Sequence, residues 1–151
     1  MKLIADAVLG RLATSLRFLG FDVYARGLAD RQLILAAQLK GRTVLTRDRG
    51  FLGRKKMNAP LIVIESDDWP RRLMQLRVAL DLDGPTRPPR CPSRNSALSE
   101  AEKDGRLRGQ VPEFVYHSVD VFSSCTGCGG ACGEGSHCRL FHAMTTAACR
   151  G

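Results

Sequence analysis

Hydrophobic positions in residues 1–82 follow two patterns, short apolar runs and longer amphipathic segments. The short runs have the length of buried strands, and the amphipathic segments repeat their apolar residues at helical spacing. Predicted strands cover 2–5, 21–25, 43–46 and 61–64, and predicted helices cover 7–19, 30–40 and 70–82. Because strands alternate with helices, right-handed crossovers would give an α/β fold, an open parallel sheet with helices on both faces.

The pattern changes after position 82. Residues 83–90 contain three prolines and a glycine and are predicted to form a linker. Residues 91–142 contain short apolar pieces followed by a segment rich in glycine and cysteine, and 143–151 is a tail. Such a segment buries little apolar surface. We therefore expect it to need a metal, or packing against the domain at 1–82, to become ordered.

Charge and cysteine divide the chain in the same way. The formal net charge is +8, and residues 1–90 carry 17 Lys and Arg against 9 Asp and Glu, while residues 91–151 carry 6 of each kind. All six cysteines lie after position 90. The basic part therefore suits a polyanionic partner, and the cysteine-rich part suits metal binding in a reducing compartment.

The composition is that of a globular protein, and no apolar run approaches the roughly 20 residues that span a bilayer. A secretory signal is not expected either, because Asp6, Arg11 and Arg17 interrupt the apolar stretch at the N-terminus. These observations predict an intracellular protein, cytoplasmic or nuclear and not secreted, with no membrane partner.

Acidic residues follow the predicted strands at their carboxyl ends, where ligands bind in open α/β sheets. Asp6 ends the first strand, Asp30 begins the helix after the second, Asp48 follows the third and Asp67 follows the fourth. Gathered carboxylates repel one another, by about 1 kcal/mol per pair at 4 Å in water, and a divalent cation removes this repulsion. Hard oxygen ligands favour Mg²⁺ or Mn²⁺, ions that can activate water for phosphodiester hydrolysis.

Each carboxylate also has a purely structural interpretation. For Asp30, a helix cap is as good an explanation as a metal ligand. Asp48 lies in a turn before Gly50, and either Asp67 or Asp68 is expected to cap the helix that Pro70 opens. Asp6 is better explained as a metal ligand than as a cap. The acidic residue after strand four that completes the site stays undecided.

Basic residues flank the same edge, and a phosphate polymer would complement them, although a solvated basic surface is the ordinary meaning of such a run. Aromatic residues are only 6% of the chain and show no interleaved pattern, which favours backbone contacts over base recognition. The predicted nucleic-acid-binding residues are Arg11, Arg47, Arg49, Arg54, Lys55 and Lys56.

Six motifs follow one another in the order Asp6-Ala-Val-Leu-Gly-Arg-Leu-Ala, Leu16-Arg-Phe-Leu-Gly-Phe-Asp22, Leu45-Thr-Arg-Asp-Arg-Gly50, Arg90-Cys-Pro, Gly109-Gln-Val-Pro-Glu-Phe-Val-Tyr116 and Gly135-Ser-His137. Together they resemble the Mut-seven carboxy-terminal RNase domain, a PIN-like family, over nearly the whole chain up to about His137. The resemblance implies a PIN-like fold joined to a zinc ribbon, RNase activity, and metal roles for Asp6, Asp30 and Asp48. Animal members occur at the end of a longer exonuclease-like protein, which implies an exonuclease domain as a neighbour or partner.

A zinc ribbon holds its metal with two Cys-x-x-Cys knuckles. Cys125 and Cys128 form a good second knuckle, but Arg94 stands where the family has the second cysteine of the first knuckle, after Cys91. Two outcomes stay open. Either zinc binds to Cys91, Cys125, Cys128 and a substitute ligand, or the ribbon is degenerate and has lost zinc. The nearby substitutes are Cys132, His137 and Cys138.

Two functions remain in competition. The leading hypothesis is a divalent-metal-dependent ribonuclease, part of an exonuclease-type RNA-processing protein, with Asp6, Asp30 and Asp48 in catalysis. The alternative is an RNA-binding or protein-docking module that is weak or inactive as a catalyst. The broken first knuckle shows that this chain tolerates the loss of family features.

Overall fold

A computed structural model describes residues 1–54, 57–82, 85 and 87–133. Several positions named above therefore lie outside the described residues: Lys55, Lys56, three residues of the linker, the side chain of Cys132, and everything from 134 onward, with His137, Cys138 and the tail. None of the helices in the described part combines the length and the apolar character that a membrane crossing requires.

The first sheet has four parallel strands, in the order β2-β1-β3-β4. The elements that build it are β1 (Lys2–Ala5), α1 (Gly10–Phe18), β2 (Asp22–Tyr24), α2 (Asp30–Lys40), β3 (Thr43–Thr46), β4 (Leu61–Val63) and α3 (Trp69–Leu80). Short 3₁₀ helices, Ala7–Leu9 and Arg49–Gly53, follow β1 and β3. The α/β class and the parallel sheet predicted from the sequence are confirmed.

Helices cover both faces of this sheet because successive residues of a strand point to opposite sides. Leu3 and Ala5 of β1 pack with α1 and α3 in one core, while Ile4 between them packs with α2 in another. Burial of each large apolar side chain contributes about 1.5–3 kcal/mol, so the two cores fix the strand register.

One residue of α2 is not where the sequence pattern placed it. The apolar spacing of residues 30–40 predicts an inner face made of Leu33, Ala36, Ala37 and Leu39, but Leu39 is 77% exposed, whereas Leu33 and Ala37 are buried. The inner stripe runs through positions four apart, and Leu39 lies two residues beyond Ala37, about 200° further around the helix. Gly41 then ends α2 in the left-handed conformation, with φ +55°.

A second, antiparallel sheet has the strand order β5-β6-β7. Its elements are β5 (Leu98–Ala101), α4 (Gly105–Arg108), α5 (Glu113–Ser118), β6 (Phe122–Cys125) and β7 (Ala131–Gly133). Among the residues that the structure describes, its core cluster has three buried residues, Leu107, Val119 and Phe122, with Tyr116 stacked against Phe122. This small core agrees with the expectation that the segment needs additional support. The predicted boundaries at 82, 90 and 142 stay predictions.

Arg17 joins the parallel sheet to the segment that leads into the antiparallel sheet. It lies on α1 and is 7% exposed. Its Nε and Nη2 donate hydrogen bonds of 2.9 and 2.8 Å to the carbonyl of Val23, and its Nη1 donates to the carbonyl of Pro92. The backbone N–H of Arg90 donates to the carbonyl of Arg17 at 2.9 Å. Burial lowers the pKa of Arg17, and the nearby Cys91 and Asp22 oppose that shift.

Asn95 forms the second link. Its Oδ1 accepts from the backbone N–H of Val23 at 3.0 Å, and its Nδ2 donates to Oδ1 of Asp22 at 2.7 Å. Arg42 pairs with the same carboxylate at 2.7 Å. Burial opposes ionisation of Asp22, but its hydrogen bonds to Arg42 and Asn95 lower its pKa overall. The side chain of Asn95 thereby covers part of the outer side of β2, which is the edge of the parallel sheet.

Gly20 lets the chain between the sheets pass close to α1. Its φ is +84°, and a Cβ built there would overlap the side chain of Arg87 and lie 2.7 Å from the carbonyl of Pro88. Any other residue at position 20 would push this crossing segment away.

We expect Arg17→Met to lower the free energy of unfolding by about 2 kcal/mol, because two buried carbonyls lose their donors. Urea denaturation measures this change. Arg11→Met is the matched control, since Arg11 lies exposed near the start of the same helix. Equal stability of the two variants would contradict a structural role for the Arg17 hydrogen bonds.

Candidate metal sites

Two of the predicted metal ligands share a hydrogen-bond partner at the carboxyl ends of the central strands. Asp6 follows β1 directly, and Asp48 follows β3 two residues after Thr46. The hydroxyl of Thr46 donates to Oδ2 of Asp6 at 3.1 Å and accepts the backbone N–H of Asp48 at 3.1 Å. Thr46 is fully buried. Asp6 and Asp48 are therefore tied to one fixed point.

A backbone donor holds Oδ1 of each of these two carboxylates. Oδ1 of Asp6 accepts from the N–H of Ala7 at 2.6 Å, and Oδ1 of Asp48 accepts from the N–H of Gly50 at 2.7 Å. Both residues cap a 3₁₀ helix in this way, so the turn interpretation of Asp48 holds, and Asp6 is a cap as well as a candidate ligand. Neither carboxylate forms an ion pair with any residue that the structure describes.

Asp30 is differently placed. The cap of α2 is Ala29, so the helix-cap interpretation of Asp30 is wrong. Its Oδ2 instead accepts from Nη2 of Arg54 at 2.6 Å. The guanidinium of Arg54 also lies 4.7 Å from the centre of the Phe51 ring, in the 3₁₀ helix that follows β3.

The acidic residues after β4 are also partnered. Asp67 pairs with Arg47 at 2.6 Å and with Arg72 at 3.4 Å, and it is 79% exposed. Asp68 is the cap of α3, as expected for one member of this pair. An open cavity of about 580 Å³ lies between this strand end and α3, with Asp67 among its lining residues.

The predicted RNA-binding arginines are thus largely occupied by carboxylates of the same edge. Arg47 and Arg54 pair with Asp67 and Asp30, and Arg49 pairs with Glu65 at 3.4 Å. Each would exchange a carboxylate for a phosphate on binding RNA. Such exchange reduces the net gain in affinity, because the carboxylate left behind loses its partner.

Among the described residues, Cys91, Cys125 and Cys128 bring three possible metal ligands together. Their sulfur atoms lie within 4.8 Å of one another. No three described carboxylates converge to the same degree. Cys91 and Cys125 are buried and Cys128 is exposed, and the Sγ atoms of Cys91 and Cys128 are 3.8 Å apart. The three cysteines that the sequence singled out can hold a metal ion.

Backbone N–H groups point at two of these sulfurs, as they do in metal knuckles. Arg94 donates to Sγ of Cys91 at 3.4 Å, and Gly127 donates to Sγ of Cys125 at 3.3 Å. The first knuckle therefore keeps its turn although Arg94 occupies the position of its second ligand. Burial raises the pKa of Cys91. Burial also acts to raise that of Cys125, but backbone N–H groups of Gly127 and Cys128 and neighbouring thiols lower it to about 7.

The sequence interpretation overlooked Thr46 and the docking residues Arg17 and Asn95. Thr46 left a signal, a threonine that ends an apolar strand two residues before a candidate ligand. Arg17 and Asn95 left none, because their partners are backbone atoms far away along the chain.

The fold and these two sites define an α/β domain with carboxylates at one sheet edge, joined to a three-cysteine cluster. The family model of the Mut7-C RNAse domain matches residues 1–145, and the chain belongs to this family. The match confirms the resemblance given above and extends it by about eight residues. No curated protein and no solved structure matches the chain significantly.

We expect Arg94→Cys to bind Zn²⁺ at least about tenfold more tightly than the native chain, because a fourth thiolate completes a tetrahedral site. Competition with a chromogenic chelator measures the affinity. Arg94→Ser is the control, since it removes the arginine without adding a thiolate. Equal affinities of Arg94→Cys and Arg94→Ser would show that position 94 does not reach the metal.

Proposed function

We propose that the protein is a divalent-metal-dependent ribonuclease that hydrolyses RNA phosphodiester bonds. The proposal rests on one observation above all. In a chain of the Mut7-C RNAse family, one buried threonine hydroxyl binds the carboxylate of Asp6 and the backbone N–H of Asp48 at the carboxyl ends of the two central strands, and the N–H of Gly50 binds the carboxylate of Asp48. Because these hydrogen bonds already order both carboxylates, a cation can bind them with little further loss of side-chain freedom.

The donor set fits Mg²⁺ or Mn²⁺, which prefer hard oxygen ligands. Asp6 and Asp48 would hold the ion, since their negative charge is not neutralised by any described cation. Asp30 and Asp67 would join them by releasing Arg54 and Arg47. A bound divalent ion supplies an activated water and stabilises the leaving oxygen.

The remaining residues of the edge orient these groups and the substrate. Thr46 positions the carboxylate of Asp6 and the backbone of Asp48, and Arg47, Arg49 and Arg54 would contact phosphates of the RNA backbone. Arg11 is a further proposed contact, as are Lys55 and Lys56, which lie outside the described residues and are proposed from the sequence alone. The arginines then move from carboxylate to phosphate as metal and RNA bind together, so the charges exchange partners within one site.

The cysteine cluster has a supporting part in the proposal. We assign Zn²⁺ to Cys91, Cys125 and Cys128, with the fourth position completed by another ligand. The knuckle of Cys91 leads directly into the segment that Arg17 and Asn95 attach to β2. Zinc would then rigidify the contact between the ribbon and the nuclease sheet.

One observation favours a second candidate function, an RNA-binding or protein-docking module with weak or no catalysis. Asp30 and Asp67 are held by arginines, so of the four predicted ligands only Asp6 and Asp48 have no ion pair with a described cation. In that case the catalytic step would belong to a neighbouring exonuclease-type domain or partner protein. Metal-dependent cleavage by the purified chain distinguishes the two functions.

We expect Asp48→Asn to lower the rate of Mn²⁺-dependent cleavage of a labelled RNA by about 100-fold or more, because a charged ligand becomes neutral. RNA affinity should persist or rise, since a negative charge near phosphate is gone. Cleavage assays and fluorescence anisotropy measure the two effects.

Asp120→Asn is the matched control for this experiment, as Asp120 is 98% exposed and lies outside the edge. EDTA should abolish native cleavage and leave any contaminating metal-independent RNase unaffected. Native activity in EDTA, or full activity of Asp48→Asn, would rule out the metal-carboxylate mechanism.

Thr46→Val should reduce cleavage while the protein remains folded, because valine keeps the shape but cannot donate to Asp6 or accept from Asp48. We expect a loss of about tenfold or more, which is typical for a partner that orients a ligand. Thr46→Ser restores the hydroxyl and should recover most of the activity. A valine variant as active as the serine variant would show that the hydroxyl does not position the carboxylates.

A further inference from the structure

A cavity of about 480 Å³ lies between the carboxyl end of β2 and the first cysteine knuckle. This size falls within the roughly 300–1,000 Å³ of sites that bind small ligands or parts of larger ones. Arg26 and Tyr24 line it from the β2 side, and Ser93, Arg94 and Asn95 line it from the knuckle. Its lining includes three arginines and no acidic residue.

The three arginines are not equivalent. Arg17 is buried, and its N–H groups are used by the carbonyls of Val23 and Pro92. Arg26 and Arg94 are exposed, and neither forms an ion pair with a residue in the described ranges. They therefore differ from the arginines of the carboxylate edge, which must give up a carboxylate before they bind phosphate.

Hydrogen-bond donors accompany these two cations. Tyr24 and Ser93 bring hydroxyl groups to the lining, and the guanidinium of Arg26 lies 5.9 Å from the centre of the Tyr24 ring. Planar guanidinium groups with neighbouring hydroxyls form the usual donor set for a phosphate group. The side chain of Asn95 is already used by Val23 and Asp22, so it serves as a fixed wall.

The cavity also lies beside the proposed active edge. Tyr24 is the last residue of β2, and the connection that follows it runs through Arg26 to Asp30 at the start of α2. In a parallel sheet the carboxyl ends of the strands share one edge, so the cavity and the carboxylates of Asp6 and Asp48 are on the same side of the molecule.

We propose that this cavity is a phosphate subsite for single-stranded RNA, in which Arg26 and Arg94 hold a backbone phosphate away from the bond that is cleaved. The proposal rests on the proposed RNA substrate, but not on catalysis by this chain. It also gives Arg94 a function. The residue that cannot ligate zinc keeps the knuckle turn through its backbone and places its charge in the subsite.

The test measures the affinity of a fluorescent single-stranded RNA oligonucleotide by anisotropy without added Mg²⁺ or Mn²⁺, so that the RNA is not cleaved and zinc at the cysteines is kept, over a series of salt concentrations. Arg26→Gln and Arg94→Gln should each weaken binding about fivefold or more and reduce the salt slope by about 0.7, the value for one phosphate contact on a single strand. Arg106→Gln is the matched control, because Arg106 is an exposed arginine of α4 outside the cavity. Arg94→Lys should keep most of the affinity and thereby show that charge, not folding, is the cause.

The outcomes separate this proposal from the proposed function. If the native chain shows no metal-dependent cleavage but both glutamine variants lose affinity, the ribonuclease proposal fails and the subsite stands. If both variants bind RNA like Arg106→Gln, the subsite is overturned whatever the cleavage assay shows. Inorganic phosphate is titrated in parallel, and variants that lose phosphate binding while RNA affinity is unchanged would overturn the assignment to RNA.

Discussion

The backbone N–H of Asp6 donates to the carbonyl of Leu45 at 2.9 Å. This bond continues the pairing of β1 with β3 one residue past the end of β1. The rest of the site depends on this pairing, because it places Thr46 beside Asp6. The threonine hydroxyl then spans from that carboxylate to the backbone of Asp48. A slip of one residue would turn Thr46 to the other face of the sheet and separate the two acidic residues, so the register that the two cores enforce is also the register that the site requires.

A second constraint joins the cysteine cluster to the sheet. Arg17 reaches from α1 to a carbonyl of β2 and to a carbonyl in the first knuckle, so one buried guanidinium connects three parts of the chain. The antiparallel sheet has a small core of its own and gains support from this contact. The electrostatic influence of Cys91 on Arg17 runs through the same junction. The first knuckle is thereby held against the outer strand of the α/β sheet, next to the cavity that Arg26 and Arg94 line.

The arginines around the parallel sheet fall into two groups, those paired with carboxylates and those without such partners. Around the carboxylate edge, Arg47, Arg49 and Arg54 are paired with acidic neighbours, which limits mutual repulsion among the acidic residues. Beside the knuckle, Arg26 and Arg94 have no such partners in the described ranges. A polyanion could therefore contact Arg26 and Arg94 without displacing a described carboxylate, and under the proposed function this contact would bring RNA to the edge before the paired arginines are released.

The sequence alone determined the α/β class, the bounds of β1, β3 and α2, and the three cysteines, because these depend on local periodicity and on spacing along the chain. It also placed Asp6 and Asp48 at one edge, since parallel strands bring their carboxyl ends together. Only the tertiary structure decided that Asp30 pairs with Arg54 and that Arg17 serves a carbonyl 75 residues away. Side-chain hydrogen bonds to distant backbone atoms leave no periodic signal, because a carbonyl is present at every position and the fold alone selects which one is near.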